Sequence, residues 1–154
     1  MKEDWDIVKH IYALGIATGN ATFEHSVPTY EKWISSGVPS CILVACREKE
    51  VIGWCKLTQT SNRYVYRGVG EVSVYVHPSE SGKGIGDILL KELIKRSENN
   101  GFWTLTAGIF PENVSSIRLH KKHGFEELGI RKKIGKMQNG TWRDVLQLER
   151  RCEM

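Results

Sequence analysis

The chain has 154 residues, with 22 Lys and Arg against 18 Asp and Glu and a net charge of +4. At about 150 residues per domain, this predicts one domain, residues 1–154, able to bury a core without disulfide or metal. Apolar residues at 40% and charged residues at 26% argue against disorder, collagen and a coiled coil. The basic excess is small and its runs are short (Lys121-Lys122 and Arg131-Lys132-Lys133), so no nucleic-acid partner is expected.

The acidic start, Met1-Lys2-Glu3-Asp4, does not read as a secretory signal. No apolar run is long enough for a membrane helix. Cys41, Cys46, Cys55 and Cys152 form no Cys-x-x-Cys pair and have no His at zinc spacing, so no metal is expected. A cytoplasmic protein with unpaired thiols is the expectation.

In chain order, Ile7, Ile11 and Leu14 recur at helical spacing after Asp4, predicting a helix over about 4–18. Thr29 to Ser36 reads as a short helix stopped by Gly37 and Pro39. Cys41–Arg47 and Val51–Leu57 read as strands joined by a hairpin at Glu48-Lys49-Glu50. A polar stretch with Arg63, Tyr64, Tyr66 and Arg67 follows. Val72, Val74 and Val76 then alternate with Glu71, Ser73 and Tyr75, two faces of one strand. After Pro78 comes a loop with Gly82, Gly84 and Gly86, then a helix bearing Ile85, Ile88, Leu89 and Leu93 on one stripe. Trp103–Phe110 reads as a strand covered on both faces. A helix opens at Pro111-Glu112-Asn113 and closes at Gly124. Strands over Phe125–Ile134 and Thr141–Glu149 end the chain, with a turn at Asn139-Gly140. This order gives a mixed α/β sheet flanked by helices.

A strand, a glycine-rich loop and a helix N-terminus in succession suit a pyrophosphate, because loop and helix both present unpaired backbone N–H groups. A plain turn before a helix has the same glycines. Two common phosphate motifs fit poorly. A P-loop needs Ser or Thr where Gly84 follows Gly82-Lys83, and a dinucleotide fold needs Gly-x-Gly-x-x-Gly directly after the strand.

The loop Ser81-Gly82-Lys83-Gly84-Ile85-Gly86 resembles the pyrophosphate loop of GNAT-type N-acetyltransferases, with Ser81 where Arg or Gln is usual. The segment Ala107–Phe125 is similar to the phosphinothricin and methionine sulfoximine/sulfone acetyltransferase branch. So are Gly19–Glu24, Glu71–Val76 and Gly140–Val145. The resemblance runs from about Asp4 to Arg150, nearly the whole chain. It implies a mixed, mostly antiparallel sheet, here without the strand the family usually has before its first helix. The exposed edge this leaves on Cys41–Arg47 would be covered by the second helix, the C-terminus or a second copy, and a homodimer is expected.

The resemblance further implies acetyl-CoA as cosubstrate and direct transfer to a small primary amine. Val74, Tyr75 and Val76 would hold the pantetheine arm. Gly82, Lys83, Gly84, Ile85, Gly86 and Asp87 would hold the pyrophosphate. Asn113 and Ser116 would contact the cofactor from their helix, although Asn113 is equally a helix cap. Glu71 is the candidate base for the incoming amine, or else a strand-end carboxylate in water. His120 is a candidate acid for the departing thiolate, or else a solvent-facing imidazole on a basic helix. Arg63, Tyr64, Tyr66 and Arg67 are the candidates for an acceptor carboxylate, with Phe23 as an apolar wall. A protein or peptide N-acetyltransferase and a non-catalytic CoA-binding module are the alternatives.

Overall fold

The computed structural model describes residues 2–152. Helix α1 spans Trp5–Ala17 and α2 spans Tyr30–Ser35, the latter capped by Thr29, whose hydroxyl accepts from Lys32 N. Strands β1 (Gly37–Arg47), β2 (Glu50–Gln59) and β3 (Val69–Val76) follow. Helix α3 (Ile85–Asn99), strand β4 (Thr104–Ile109) and helix α4 (Val114–Lys122) come next. The chain finishes with β5 (Glu126–Lys136) and β6 (Trp142–Arg151). One six-stranded sheet has the order β1-β2-β3-β4-β6-β5. Only β3 and β4 run parallel. The mixed, mostly antiparallel sheet is therefore as expected, and no strand precedes α1 among the described residues.

The alternation of the strands divides the core in two. Cys55, Leu57, Val72, Leu105, Ala107 and Leu148 pack on one face against Leu89, Leu90 and Leu93 of α3. On the other face, Ile42, Val51 and Trp54 pack against Val8 and Ile11 of α1 and Trp33 of α2. Both clusters hold fully buried side chains, each stabilised by about 1.5–3 kcal/mol on leaving water.

Several boundaries differ from the sequence reading. α2 ends before Gly37 as expected, but β1 starts at Gly37 instead of Cys41 and contains Pro39. Its pairing with β2 is irregular between Gly37 and Ile42, and a proline is tolerated in an edge strand at such an irregularity. The β1–β2 turn has Glu48 and Lys49 at φ 51° and 74°, the two-residue turn that matches strand twist. β5 continues to Lys136 past a bulge, three residues of β5 standing between the Arg131↔Val145 and Gly135↔Arg143 pairs. Lys133 there has φ 48°, held by its N–H donating to Asp144 Oδ1 at 2.7 Å. Cys41 and Cys55 are buried, but Cys46 is exposed. β1 and β5 form the outer edges. α2 lies against β1, whereas the C-terminal strand β6 lies between β4 and β5 and cannot cover β1. No helix among the described residues is long and apolar enough to cross a membrane.

Candidate active site

The parallel pair β3–β4 is short. Pairing covers only Val69–Glu71 against Thr104–Thr106, and the strands then part. The edge of β3 beyond Glu71 thus faces a cleft instead of a strand, presenting backbone N–H and C=O groups to it. This cleft has a volume of about 1160 Å³ and is lined by Val72–Val76 on one side and Ala107–Phe110 on the other.

One wall is built from contiguous residues. Gly82 and Gly84 hold φ of 77° and 84°, a conformation that glycine adopts without steric penalty. A Cβ at either would meet nothing within 4 Å, so the loop offers open space over its backbone. Gly84 is the N-cap of α3, and no side chain caps that helix. Its first-turn N–H groups and partial positive charge are left for a ligand. Gly82, Gly84, Ile85, Gly86 and Asp87 all line the cleft. The Asp87 carboxylate is engaged by Lys122 at 2.9 Å and His123 at 3.0 Å, and the Lys122 hydrogen bond leads in holding it below the usual range. That pairing offsets its negative charge beside the phosphate-type cradle.

Glu71 lies at the point where β3 and β4 part, opposite Thr58 of β2 and Thr106 of β4. It is open to the cleft. The surrounding walls nevertheless displace enough water to push its carboxyl above the usual range. Ser73 and Tyr75 share its face. Tyr75 stacks on Trp54 at 4.7 Å, and burial pushes its phenol far up.

The opposite wall comes from distant segments. The turn after α1 supplies Thr18, Asn20, Ala21, Thr22, Phe23 and Glu24. Arg143 of β6 anchors this turn: it donates to Gly19 O at 2.7 Å and Asn20 Oδ1 at 2.6 Å, and pairs with Glu112 at 2.9 Å. Its guanidinium lies 3.9 Å over the Phe110 ring. Phe23 meets Phe110 edge-on at 4.9 Å and packs against Gly135, where a Cβ would stand 2.6 Å from the Phe23 ring. The β5 bulge adds Arg131 and Ile134 to the lining.

Asn113 caps α4, accepting from Ser116 N at 3.3 Å, while its Nδ2 donates to Asn20 O at 3.3 Å. It and Ser116 line the cleft. His120 lines it too, but does not face solvent: it is 4% exposed, edge-on to Phe125. Its Nδ1 lies 2.7 Å from Ser116 O, and a carbonyl can only accept, so Nδ1 carries the proton. Burial lowers its pKa, so the ring is neutral at pH 7 with no second proton to give.

Five expected contacts are not brought to the cleft. Lys83 pairs with Glu80 instead. Arg63 stacks on Tyr66, and Arg67 stacks on Tyr64 and Trp103. None of these four loop residues, Arg63, Tyr64, Tyr66 or Arg67, lines the cleft, and Arg67 borders a separate hollow beside Phe102. The start of β3 carries these residues away from the parted ends of β3 and β4. Lys56, Trp54 and Arg131 line the cleft and Arg143 anchors its turn, none of them among the expected site residues. For Lys56 a signal existed: a single charge inside the apolar run Val51–Leu57.

Comparison with known proteins follows the same lines. The model of the acetyltransferase (GNAT) family matches residues 8–125. A phosphinothricin N-acetyltransferase of Alcaligenes faecalis is 33% identical over an alignment of 156 residues, covering 96% of this chain and 78% of that protein. The crystal structure of a phosphinothricin acetyltransferase from Sinorhizobium meliloti in complex with AcCoA superposes with a TM-score of 0.87 at 33% identity, over 98% of this chain and 84% of that one. A ribosomal-protein-alanine N-acetyltransferase from Brucella melitensis reaches 0.90 at 30% identity, over 99% and 96%. With a family model spanning well over half of its length, the chain belongs to the GNAT family of acetyltransferases.

Proposed function

We propose that the protein is a single-domain enzyme that acetylates the primary amine of a small amino-acid-like acceptor, of the phosphinothricin or methionine sulfoximine/sulfone type. Acetyl-CoA is the acetyl donor, as the relative solved with it suggests. The residues present suit it: open space over Gly82 and Gly84, an uncapped α3 N-terminus and a roomy cleft beside the free edge of β3. The pyrophosphate would lie on the N–H groups of residues 82–87 and the pantetheine arm along Val74–Val76, with Asn113 and Ser116 opposite. When bound, acetyl-CoA would supply the thioester carbon for the amine to attack, with CoA as the thiolate leaving group.

The single observation that carries the reading is Glu71 at the parting of β3 and β4, between the two walls. An ammonium group must lose a proton before it can attack. The Glu71 carboxylate accepts that proton, and the burial that raises its pKa makes it a stronger base than an exposed carboxylate. Backbone donors on the β3 edge polarise the carbonyl. His120, neutral with its proton bound to Ser116 O, leaves the thiolate to be protonated by solvent. A thiolate tolerates this as a leaving group, because its conjugate thiol has a pKa of only about 8.5.

The test is thiol release from acetyl-CoA over a panel of amino acids, amino-acid amides and short alanine-starting peptides. Release with methionine sulfone or phosphinothricin that disappears in Glu71→Gln supports the proposal. Release with the peptides alone would move the chain to the protein-acetylating reading, which the Brucella structure favours. We read the protein as a cytoplasmic homodimer. Exposed Leu128, Ile130, Ile134 and Trp142 on the β5–β6 hairpin support an interface. A monomer by light scattering would overturn it.

A further inference from the structure

The acceptor side of the cleft gathers more hydrogen-bond donors than the protein itself satisfies. Lys56 pairs across strands with Ser73, so it shares the face of Glu71 and is its diagonal neighbour, about 7–8 Å away at the backbone. It is 9% exposed and lines the cleft. Its ammonium donates to Trp33 O at 3.1 Å and Ser36 Oγ at 2.9 Å, at the end of α2. One of its three donors remains. No carboxylate among the described residues forms an ion pair with it. Burial alone, with no opposing charge, pulls its pKa down to about 8.

Two residues earlier on the same face is Trp54, 1% exposed and also lining the cleft. Its indole Nε1 has no hydrogen-bond partner. Trp33 Nε1, equally buried, has none either. The Trp33 ring lies 5.3 Å from Lys56 Nζ and 5.3 Å from the Trp54 ring. A cation and two indole rings with unpartnered N–H groups thus pack under α1 and α2, and no carboxylate among the described residues pairs with the cation. Capping the end of α2 would need only a surface lysine with its head in water. Burying that head beside unpaired donors is unfavourable unless something negative completes the site.

We propose that Lys56, on the same cleft-lining face as Trp54, receives the anionic group of the acceptor, a carboxylate or comparable oxyanion. The proposal rests on the reading of this cleft as the acceptor site of an amine acetyltransferase. It gives the cleft two poles: Glu71 on β3 for the ammonium and Lys56 on β2 for the anion. An acceptor bound this way is a zwitterion, and its amine is delivered to the side where β3 and β4 part. The exposed pair Arg63 and Arg67 has no part in it.

The experiment compares methionine sulfone with its carboxamide in wild type, Lys56→Met and Lys56→Arg. Wild type should favour the acid by about tenfold or more in kcat/KM, the worth of one charge-assisted hydrogen bond. Lys56→Met should lose about ten- to a hundredfold on the acid, mainly in KM, and leave the amide unchanged; Lys56→Arg should recover part of the loss. Equal losses on acid and amide would overturn the proposal and leave Lys56 as a cap for α2. So would a wild type that does not discriminate. Tryptophan fluorescence titration with each compound in the presence of CoA provides a readout independent of turnover. If no amine is acetylated, the enzymatic reading fails, while quenching by the acid and not the amide, lost in Lys56→Met, would still support the anion receptor. Absence of that difference in wild type overturns it.

Discussion

The two walls of the cleft are made in opposite ways. On the proposed reading, the coenzyme wall is a contiguous stretch, residues 82–87, offering backbone N–H donors freed by two left-handed glycines and an uncapped helix. The acceptor wall is side chains from β2, β3, β5 and the turn after α1. Arg143, which secures that turn, lies 124 residues from Gly19. Backbone recognition tolerates side-chain exchange, so on this reading Ser81 in place of Arg or Gln should leave a phosphate cradle intact. Side-chain recognition does not, so acceptor choice can change while the donor site stays constant.

Substitutions should separate the walls, beginning with the base between them. Glu71→Gln should lower kcat by about 10²- to 10⁴-fold while acetyl-CoA affinity holds. The pKa of Glu71 is raised, and the base acts only when deprotonated. Wild-type kcat should therefore fall as pH drops through a value above 4.5, and the Gln variant should lack that limb. A kcat profile against pH, with calorimetric acetyl-CoA binding, checks both; full activity of the variant at pH 7 would remove Glu71 from the chemistry.

Gly84→Val should damage the coenzyme wall alone. A side chain held at φ 84° is strained by about 1–2 kcal/mol, so the KM for acetyl-CoA should rise about tenfold and the acceptor KM should stay. An equal rise in both would show that the walls are not separable. Arg143→Met should do the converse. It removes three hydrogen bonds from a largely buried guanidinium, destabilising the fold by about 1–3 kcal/mol and raising the acceptor KM by a few fold. Thermal unfolding and paired KM measurements report on each.

His120→Phe should lower kcat by less than about tenfold. Because the wild-type ring is already neutral, any decline in rate at alkaline pH should be the same in both proteins. A decline that vanishes in the variant would restore His120 as the acid. The smallest effect is expected from Arg67→Ala, whose guanidinium stacks outside the cleft; its acceptor KM should stay within about two-fold, typical of a surface substitution.

Much of this protein was legible locally. The period-two alternation of Val72, Val74 and Val76 placed Glu71 on the opposite sheet face from the main core, where it is found. The apolar spacing of α3 and the glycines before it gave helix and N-cap together, since φ preference and helix-end donors depend on neighbours within one turn; Ile88, expected on the apolar stripe with Ile85, Leu89 and Leu93, is instead 62% exposed. The start of β1 at Gly37 and the β5 bulge depend on interstrand pairing, which no single strand encodes.

The acceptor wall was decided only by tertiary structure. Nothing near Arg143 names Gly19 or Asn20, and nothing near Lys56 names Trp33 and Ser36 at the end of α2. Proximity to Glu71 in sequence pointed to Arg63 and Arg67, but the parting of β3 from β4 opens the cleft toward the other end of the strand. The sequence determined which groups carry charge and which backbone is free to bind. The register of the sheet determined which of those charges share a face, and burial determined which of them stay unpaired. Charge is a property of one residue, whereas both pairing and burial belong to its neighbours in space.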